Sequence, residues 1–243
     1  MSKKRAVYFI LLTVMIDAIG IGLIMPVMPA LLLDLGGSTL ANAAVWGGIM
    51  STVFALMQFL FGPLIGNISD RFGRRKVLLV SLSVMSLDYV LMGISDSLWL
   101  LLLARIIGGA SAANHSTASA VIADVSKPKE RGANFGLLGA AFGIGFILGP
   151  VIGGLAAEWG PRAPFFVAAA LAGGIAVFGF FSLEETVTIE NRRPFEWHRA
   201  LPWGAFAQVG QLAGQTRLLI VFFFQEVAFL VYPVVWAFYT MAK

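Results

Sequence analysis

Residues 66–76 read Gly66-Asn67-Ile68-Ser69-Asp70-Arg71-Phe72-Gly73-Arg74-Arg75-Lys76 and separate two long apolar runs, 45–65 and 77–95. Arg71, Arg74, Arg75 and Lys76 are four of the 17 Lys and Arg residues in the chain, and Asp70 is the only acid in the stretch. Apolar runs of about 20 residues are long enough to cross roughly 30 Å of hydrocarbon as helices. A compact basic loop joining two of them marks one membrane face.

Composition supports the same reading outward from this loop. Hydrophobic residues make up 58% of the 243 residues and charged residues only 12%, about half the charged share of a soluble domain. A soluble fold of this length has no means of hiding so much apolar surface. The fold class is an all-α, polytopic membrane protein. The net charge of +4 does not point to nucleic acid, because the cations fall between spans. With no Cys there are no disulfides or thiolate metal sites. His115 and His198 lie too far apart to form a metal cluster.

Seven candidate spans fall at about 7–33, 45–65, 77–95, 98–123, 134–157, 163–183 and 217–240. The first follows Lys3, Lys4 and Arg5 like a leader, but it is too long and contains Asp17, so it reads as a retained helix. Alternate loops hold Lys3–Arg5, Arg71–Lys76, Lys127–Arg131 and Arg192–Arg199, 13 basic residues in all. The opposite loops hold only Arg162, plus Lys243 if the last span crosses. This bias places the N-terminus, the motif loop and segment 184–216 in the cytoplasm. Three parts result: a six-helix bundle (1–183), a cytoplasmic linker (184–216) and a seventh helix (217–243). The linker has Pro194, Pro202 and a short amphipathic piece near 197–206 that reads as a membrane-surface segment. A seventh helix with no second bundle gives the chain the form of the first half of a larger transporter.

Charges at membrane depth are costly and mark functional sites. Asp17 lies about ten residues into the first span, roughly 15 Å deep at about 1.5 Å per residue. Asp88 is at similar depth in the third span, Arg105 and His115 are in the fourth, and Glu226 is in the seventh. Asp17 and Asp88 have two readings: structural ion pairs with Arg105, or carriers of a transported proton. Burial disfavours a carboxylate's charge and a nearby guanidinium favours it, so such a group can switch as access alternates. His115 reads as pore-lining or as plain packing. Gln58 and Asn114 read as substrate contacts or as bonds to a neighbouring helix.

The fifth span carries Gly145, Gly149 and Gly153 at intervals of four, with Gly139 and Gly143 spaced likewise. Such stripes let a second helix approach closely, and Pro150 removes a backbone bond and favours a kink. Close packing accounts for the stripe, and a pivoting role is a further reading. In the motif loop, orientation alone does not require Gly66, Asp70 or Gly73. Gly66 permits close helix contact, Asp70 and Arg74 can pair if the helix continues, and Gly73 suits a tight turn. Together they form a latch between helix ends. No nucleophile–base arrangement or metal-ligand spacing is present, so the chain has no catalytic residues and is not read as an enzyme.

These residues resemble the major facilitator superfamily. The run from Gly66 through Asp70, Arg71, Gly73, Arg74 and Arg75 is similar to its loop between helices two and three. Leu103–Gly109, centred on Arg105, is similar to its helix-four motif. The run through Gly145, Gly149, Pro150, Gly153 and Gly154 resembles the motif of drug/proton antiporters. Asp17–Val27, Ser86–Tyr89 and Ala163–Phe166 are closest to tetracycline/proton antiporters, over nearly the whole chain but only the first half of such a protein.

The resemblance implies a major facilitator fold of two six-helix bundles in the cell's inner membrane, working by alternating access. It implies export of a drug, foremost a tetracycline–metal chelate, in exchange for a proton. No cofactor is implied beyond the proton gradient, and the divalent cation enters only with the substrate. Asp17, Gln58, Asp88 and Arg105 match polar positions of that family. The partners implied are lipid, protons, the drug and a second bundle or second copy, with no nucleic acid. Ser111–Ser119 departs from the small apolar run of tetracycline exporters, and Asn114 and His115 there favour a different drug, a sugar or a metabolite. A non-transporting fragment or subunit is the third reading.

Overall fold

The computed structural model describes residues 3–36, 39–112, 114–187, 190, 192–204 and 215–242. Its described elements are helices: α1 (Lys3–Ile24), α2 (Met28–Gly36), α3 (Leu40–Phe72), α4 (Arg74–Ile94), α5 (Leu98–Ser111), α6 (Asn114–Val125), α7 (Pro128–Ala157), α8 (Ala163–Ser182), α9 (Trp197–Ala200) and α10 (Gln215–Ala242). Five of them, α1, α3, α4, α7 and α8, are long and apolar enough to cross a membrane.

Local chemistry sets the helix ends. Thr39 caps α3 by accepting from the Asn42 amide at 3.4 Å, and Ser97 caps α5 by accepting from the Leu100 amide at 3.3 Å. Pro128 opens α7, where its missing N–H costs no helix bond. Gly160, at φ 124°, turns the chain between α7 and α8.

Two expected continuous spans are broken. The first stops at Ile24 and resumes as α2 at Met28, because Pro26 has no N–H to continue the ladder. The fourth divides into α5 and α6 beside residue 112. Its sequence there, Gly108-Gly109-Ala110-Ser111, holds the helix weakly. Ser111 Oγ also donates to the Ile107 and Gly108 carbonyls at 3.0 and 3.1 Å. Of the amphipathic piece expected near 197–206, α9 is one turn carrying exposed Trp197, and the part beyond 204 lies outside the described residues.

The core lies between α1, α4, α6 and α8, where Ile10, Leu23, Leu78, Leu82, Ile122 and Phe165 are wholly buried. α1 pairs most extensively with α7, and α4 with α8. In contrast, α3 and α7 leave most of their length bare. The start of α1, the α3–α4 joint, the end of α6 and the end of α8 all gather at one end of the bundle.

Candidate functional site

Two polar centres emerge, one at mid-helix depth and one at the bundle end. In the first, Arg105 on α5 meets Asp88 on α4, with Nη2 to Oδ2 at 2.6 Å and side chains 11% and 2% exposed. Gly108, one turn after Arg105, makes this fit: a methyl there would stand 2.5 Å from Asp88 Oδ2. Gly109 does the same against α3, where a methyl would meet the Phe54 carbonyl at 2.5 Å. The guanidinium also donates to Met92 Sδ and lies 5.2 Å over the Phe54 ring. Carboxylate, thioether and aromatic face together replace water around the cation.

Asp17 on α1 is held differently. Asn114, the first residue of α6, donates from Nδ2 to Asp17 Oδ1 at 3.1 Å and lies 3.4 Å from Met85 Sδ. Among the described contacts Arg105 pairs with Asp88 and not with Asp17. Gln58 on α3 donates to the Ala112 carbonyl at 3.1 Å, where the broken helix leaves an acceptor unserved. His115 is exposed and meets Phe142 edge-on at 5.9 Å. Glu226 is half-buried on α10, away from this cluster.

Several members of this centre keep open hydrogen-bonding capacity. Asp88 Oδ1, Arg105 Nε, Asn114 Oδ1 and Thr117 Oγ1 are buried with no hydrogen-bond partner among the described residues. Thr117, Tyr89, Phe54, Met85 and Met92 belong to the site but were not singled out from sequence. Tyr89 is buried against α1, where a methyl on Gly20 would stand 2.6 Å from its hydroxyl. Tyr89 follows Asp88 directly and Gly20 lies one turn from Asp17, which was the available signal. Thr117 sits one turn beyond Asn114 on the same face of α6. The two methionines and Phe54 look like ordinary apolar residues in sequence.

The second centre is the motif loop. α3 ends at Phe72 and α4 begins at Arg74, so Gly73 alone joins them, at φ 107°. The helix does not continue, yet Asp70 and Arg74 still pair, at 2.5 Å, across the joint. Arg74 further reaches Ser69 Oγ at 2.6 Å and Asp124 at the end of α6 at 3.2 Å. Arg75 donates to the Phe180 carbonyl of α8 at 2.5 Å and stacks on the Phe180 ring. Arg71 lies over its neighbour Phe72. Gly66, expected to admit a close helix, has nothing within 4 Å of where a methyl would stand, because that side of α3 is bare.

Sequence reasoning missed the residue that completes this latch. Glu185, just after α8, accepts at Oε1 from the amides of Arg74, Thr186 and Val187 at 2.9, 3.0 and 3.2 Å. It caps the start of α4, where unpaired N–H groups and the helix dipole favour an anion. Its carboxylate fills the space beside Gly73 that any side chain would need. Asn67 donates to the Glu196 carbonyl at 2.6 Å, tying the linker down a second time.

The α7 glycines divide by face. Gly145, Gly149 and Gly153 press on α1 at Met15, Gly22 and Leu23, with a methyl on Gly149 standing 2.7 Å from Gly22 Cα. Pro150 belongs to the same contact, its Cδ 3.1 Å from where a methyl on Gly22 would stand. Gly139, Gly143 and Gly154 meet nothing within 4 Å.

Comparison with known proteins agrees with this arrangement. Residues 10–242 match the sequence pattern of the Major Facilitator Superfamily. The chain is 39% identical to the class C tetracycline resistance protein of Escherichia coli over 97% of its own length and 59% of that protein's. It is 37% identical to multidrug resistance protein 2 of Bacillus subtilis (strain 168), over 81% of this chain and 48% of that one. Among solved structures, the human organic anion transporter MFSD10 (TETRAN) superposes with a TM-score of 0.74 at 28% identity, covering 87% of this chain and 57% of that one. The chain thus spans between 48% and 59% of the length of these relatives. It is a multi-pass membrane protein and belongs to the Major Facilitator Superfamily, whose members are transporters and not enzymes.

Proposed function

We propose that this chain forms the first bundle of a proton-coupled efflux antiporter that exports a drug by alternating access, with a tetracycline–metal chelate as the leading substrate. The observation that carries the reading is the placement of two carboxylates, Asp17 and Asp88, deep in the bundle with different partners. Asp88 faces a guanidinium and Asp17 a neutral amide. One carboxylate is thereby held by a fixed counter-charge and the other is left to exchange a proton with less electrostatic opposition. The name and coverage of the class C relative support tetracycline as substrate. A divalent cation enters only as part of the chelate.

The latch face is the cytoplasmic one, by the excess of Lys and Arg there. The bare faces of α3 and α7 receive a second bundle or a second copy. Gln58, Asn114 and His115 contact the drug when the bundle opens. Asn114 and exposed His115 also favour a second reading, export of another drug, which the multidrug resistance relative supports.

The test is drug uptake into everted vesicles containing the complete transporter, driven by an imposed pH gradient. Asp17→Asn and Asp88→Asn are each expected to abolish it. Normal uptake by both variants sinks the proton assignment. Uptake of unrelated drugs but not of tetracycline with Mg²⁺ selects the second reading.

A further inference from the structure

Four leftover groups of the mid-membrane centre have a common complement. Asp88 Oδ1 and Asn114 Oδ1 are acceptors lacking a donor, Arg105 Nε–H is a donor lacking an acceptor, and the Thr117 hydroxyl can serve as either. Asp88, Asn114 and Thr117 are each 2% exposed. Buried polar atoms left bare are costly, and an ordered water is the usual remedy. Covalent and helical geometry keeps the four together. Arg105 Nε adjoins the Nη2 that meets Asp88 Oδ2 at 2.6 Å, so Nε and Asp88 Oδ1 flank one ion pair. The Asn114 amide nitrogen is engaged by Asp17 Oδ1 at 3.1 Å and by Met85 Sδ at 3.4 Å, which leaves its carbonyl over. Met85 stands one turn from Asp88 on α4, and Thr117 one turn from Asn114 on α6.

We propose that a bound water bridges Asp88 to Asn114 and Thr117, and that these two α6 residues are the positioning residues that join Asp17 and Asp88 into one network. A water donates two hydrogen bonds and accepts two. Here it donates to Asp88 Oδ1 and Asn114 Oδ1 and accepts from Arg105 Nε and the Thr117 hydroxyl, meeting the roughly two to four polar partners that a buried water needs. Charge selects a neutral occupant: a cation meets the Arg105 guanidinium and an anion the Asp88 carboxylate. The role of the bridge rests on the proton-coupled reading above. A proton on Asp17 Oδ1 sets donor against donor, so the Asn114 amide turns and presents N–H in place of its carbonyl to the water. The water then reorients against Asp88. Tyr89 on α4, whose hydroxyl is beside Gly20, and Arg105 on α5 are the other ionisable groups at this centre. His115 on α6 faces Phe142 instead, and the parts of α7 and α8 within the apolar runs carry no ionisable side chain.

The experiment is infrared difference spectroscopy between low and high pH on the full 243-residue chain in lipid. A bound water is identified by an O–H stretching band that shifts in heavy-oxygen water. The unsubstituted chain should show such a band, Thr117→Ser should keep it, and Thr117→Val should lose it. Asn114→Leu, which removes the carbonyl, should lose it too and serves if Thr117→Val folds poorly by circular dichroism. In the same spectra Asp17→Asn and Asp88→Asn assign the two carboxyl bands. Asp88→Asn should move the Asp17 titration midpoint by about one pH unit or more, and Thr117→Val should shrink that movement. No isotope-sensitive band in the unsubstituted chain, an unchanged band in both Thr117→Val and Asn114→Leu, or an undiminished Asp17 movement in Thr117→Val overturns the proposal. None of these readings needs transport. The expected bands with normal pH-driven uptake by Asp17→Asn would end the proton reading and leave the water site standing.

Discussion

The latch and the mid-membrane cluster use the same chemistry, Arg against Asp, but leave different groups over. At the latch, Arg74 has Asp70, Ser69 and Asp124, and Glu185 serves the amides at the start of α4, while Arg75 Nε and Thr186 Oγ1 are left over at the edge. In the cluster, Asp88 Oδ1, Arg105 Nε and the Asn114 side-chain carbonyl have no hydrogen-bond partner among the described residues. A satisfied polar network holds one arrangement. An unsatisfied one in low dielectric is unstable until water, a proton or a ligand completes it. Under the proposed function, the centre is the part that exchanges a proton or a ligand, and the joint is the part that holds.

The largest expected effect comes from breaking the centre. Asp88→Ala strands the Arg105 charge and should cost about 3–5 kcal/mol, read as a lowered unfolding midpoint in detergent. Asp88→Leu with Arg105→Met should recover most of that loss while still abolishing export. Recovery of export as well would make the pair merely structural. Within the latch, Gly73→Ala combines a positive φ with a clash on Glu185 and should cost about 1–3 kcal/mol. Gly66→Ala, facing open space, should be near neutral in the same melt. Asn114→Leu removes the donor to Asp17 and should cost about 0.6–1.7 kcal/mol, the range for hydrogen bonds inside membranes. Its transport defect should exceed its stability defect if the centre is built to exchange. Smaller again is Glu185→Gln, about 0.3–1 kcal/mol from the helix terminus, and it should shrink as salt is raised.

The sequence carried the helical class and the span positions, because lipid admits few alternatives to a long apolar helix. Asp17, Asp88 and Arg105 were legible as charges where charge is expensive. Their pairing was not, since depth along a helix leaves rotation about its axis undetermined. The breaks at Pro26 and beside Ala112 were missed because hydropathy averages over a turn that a proline or a run of small residues interrupts. The close contact expected at Gly66 finds no helix opposite it among the described residues. Glu185 was hidden because its partners are backbone amides, which every residue possesses. Gly145, Gly149 and Gly153 were distinguishable from Gly139 and Gly143 only once the neighbour of each face was known.

The α1–α7 contact has a mechanical consequence. Where Gly149 meets Gly22 there is no cushion of side chains, only backbone on backbone. Such a seam has nothing to compress and no rotamers to rearrange, so it resists sliding of one helix past the other. α7 is 30 residues long, about 45 Å at 1.5 Å per residue. One face of α7 is thus fixed to α1 along this seam, while Gly139, Gly143 and Gly154 of the same helix face open space.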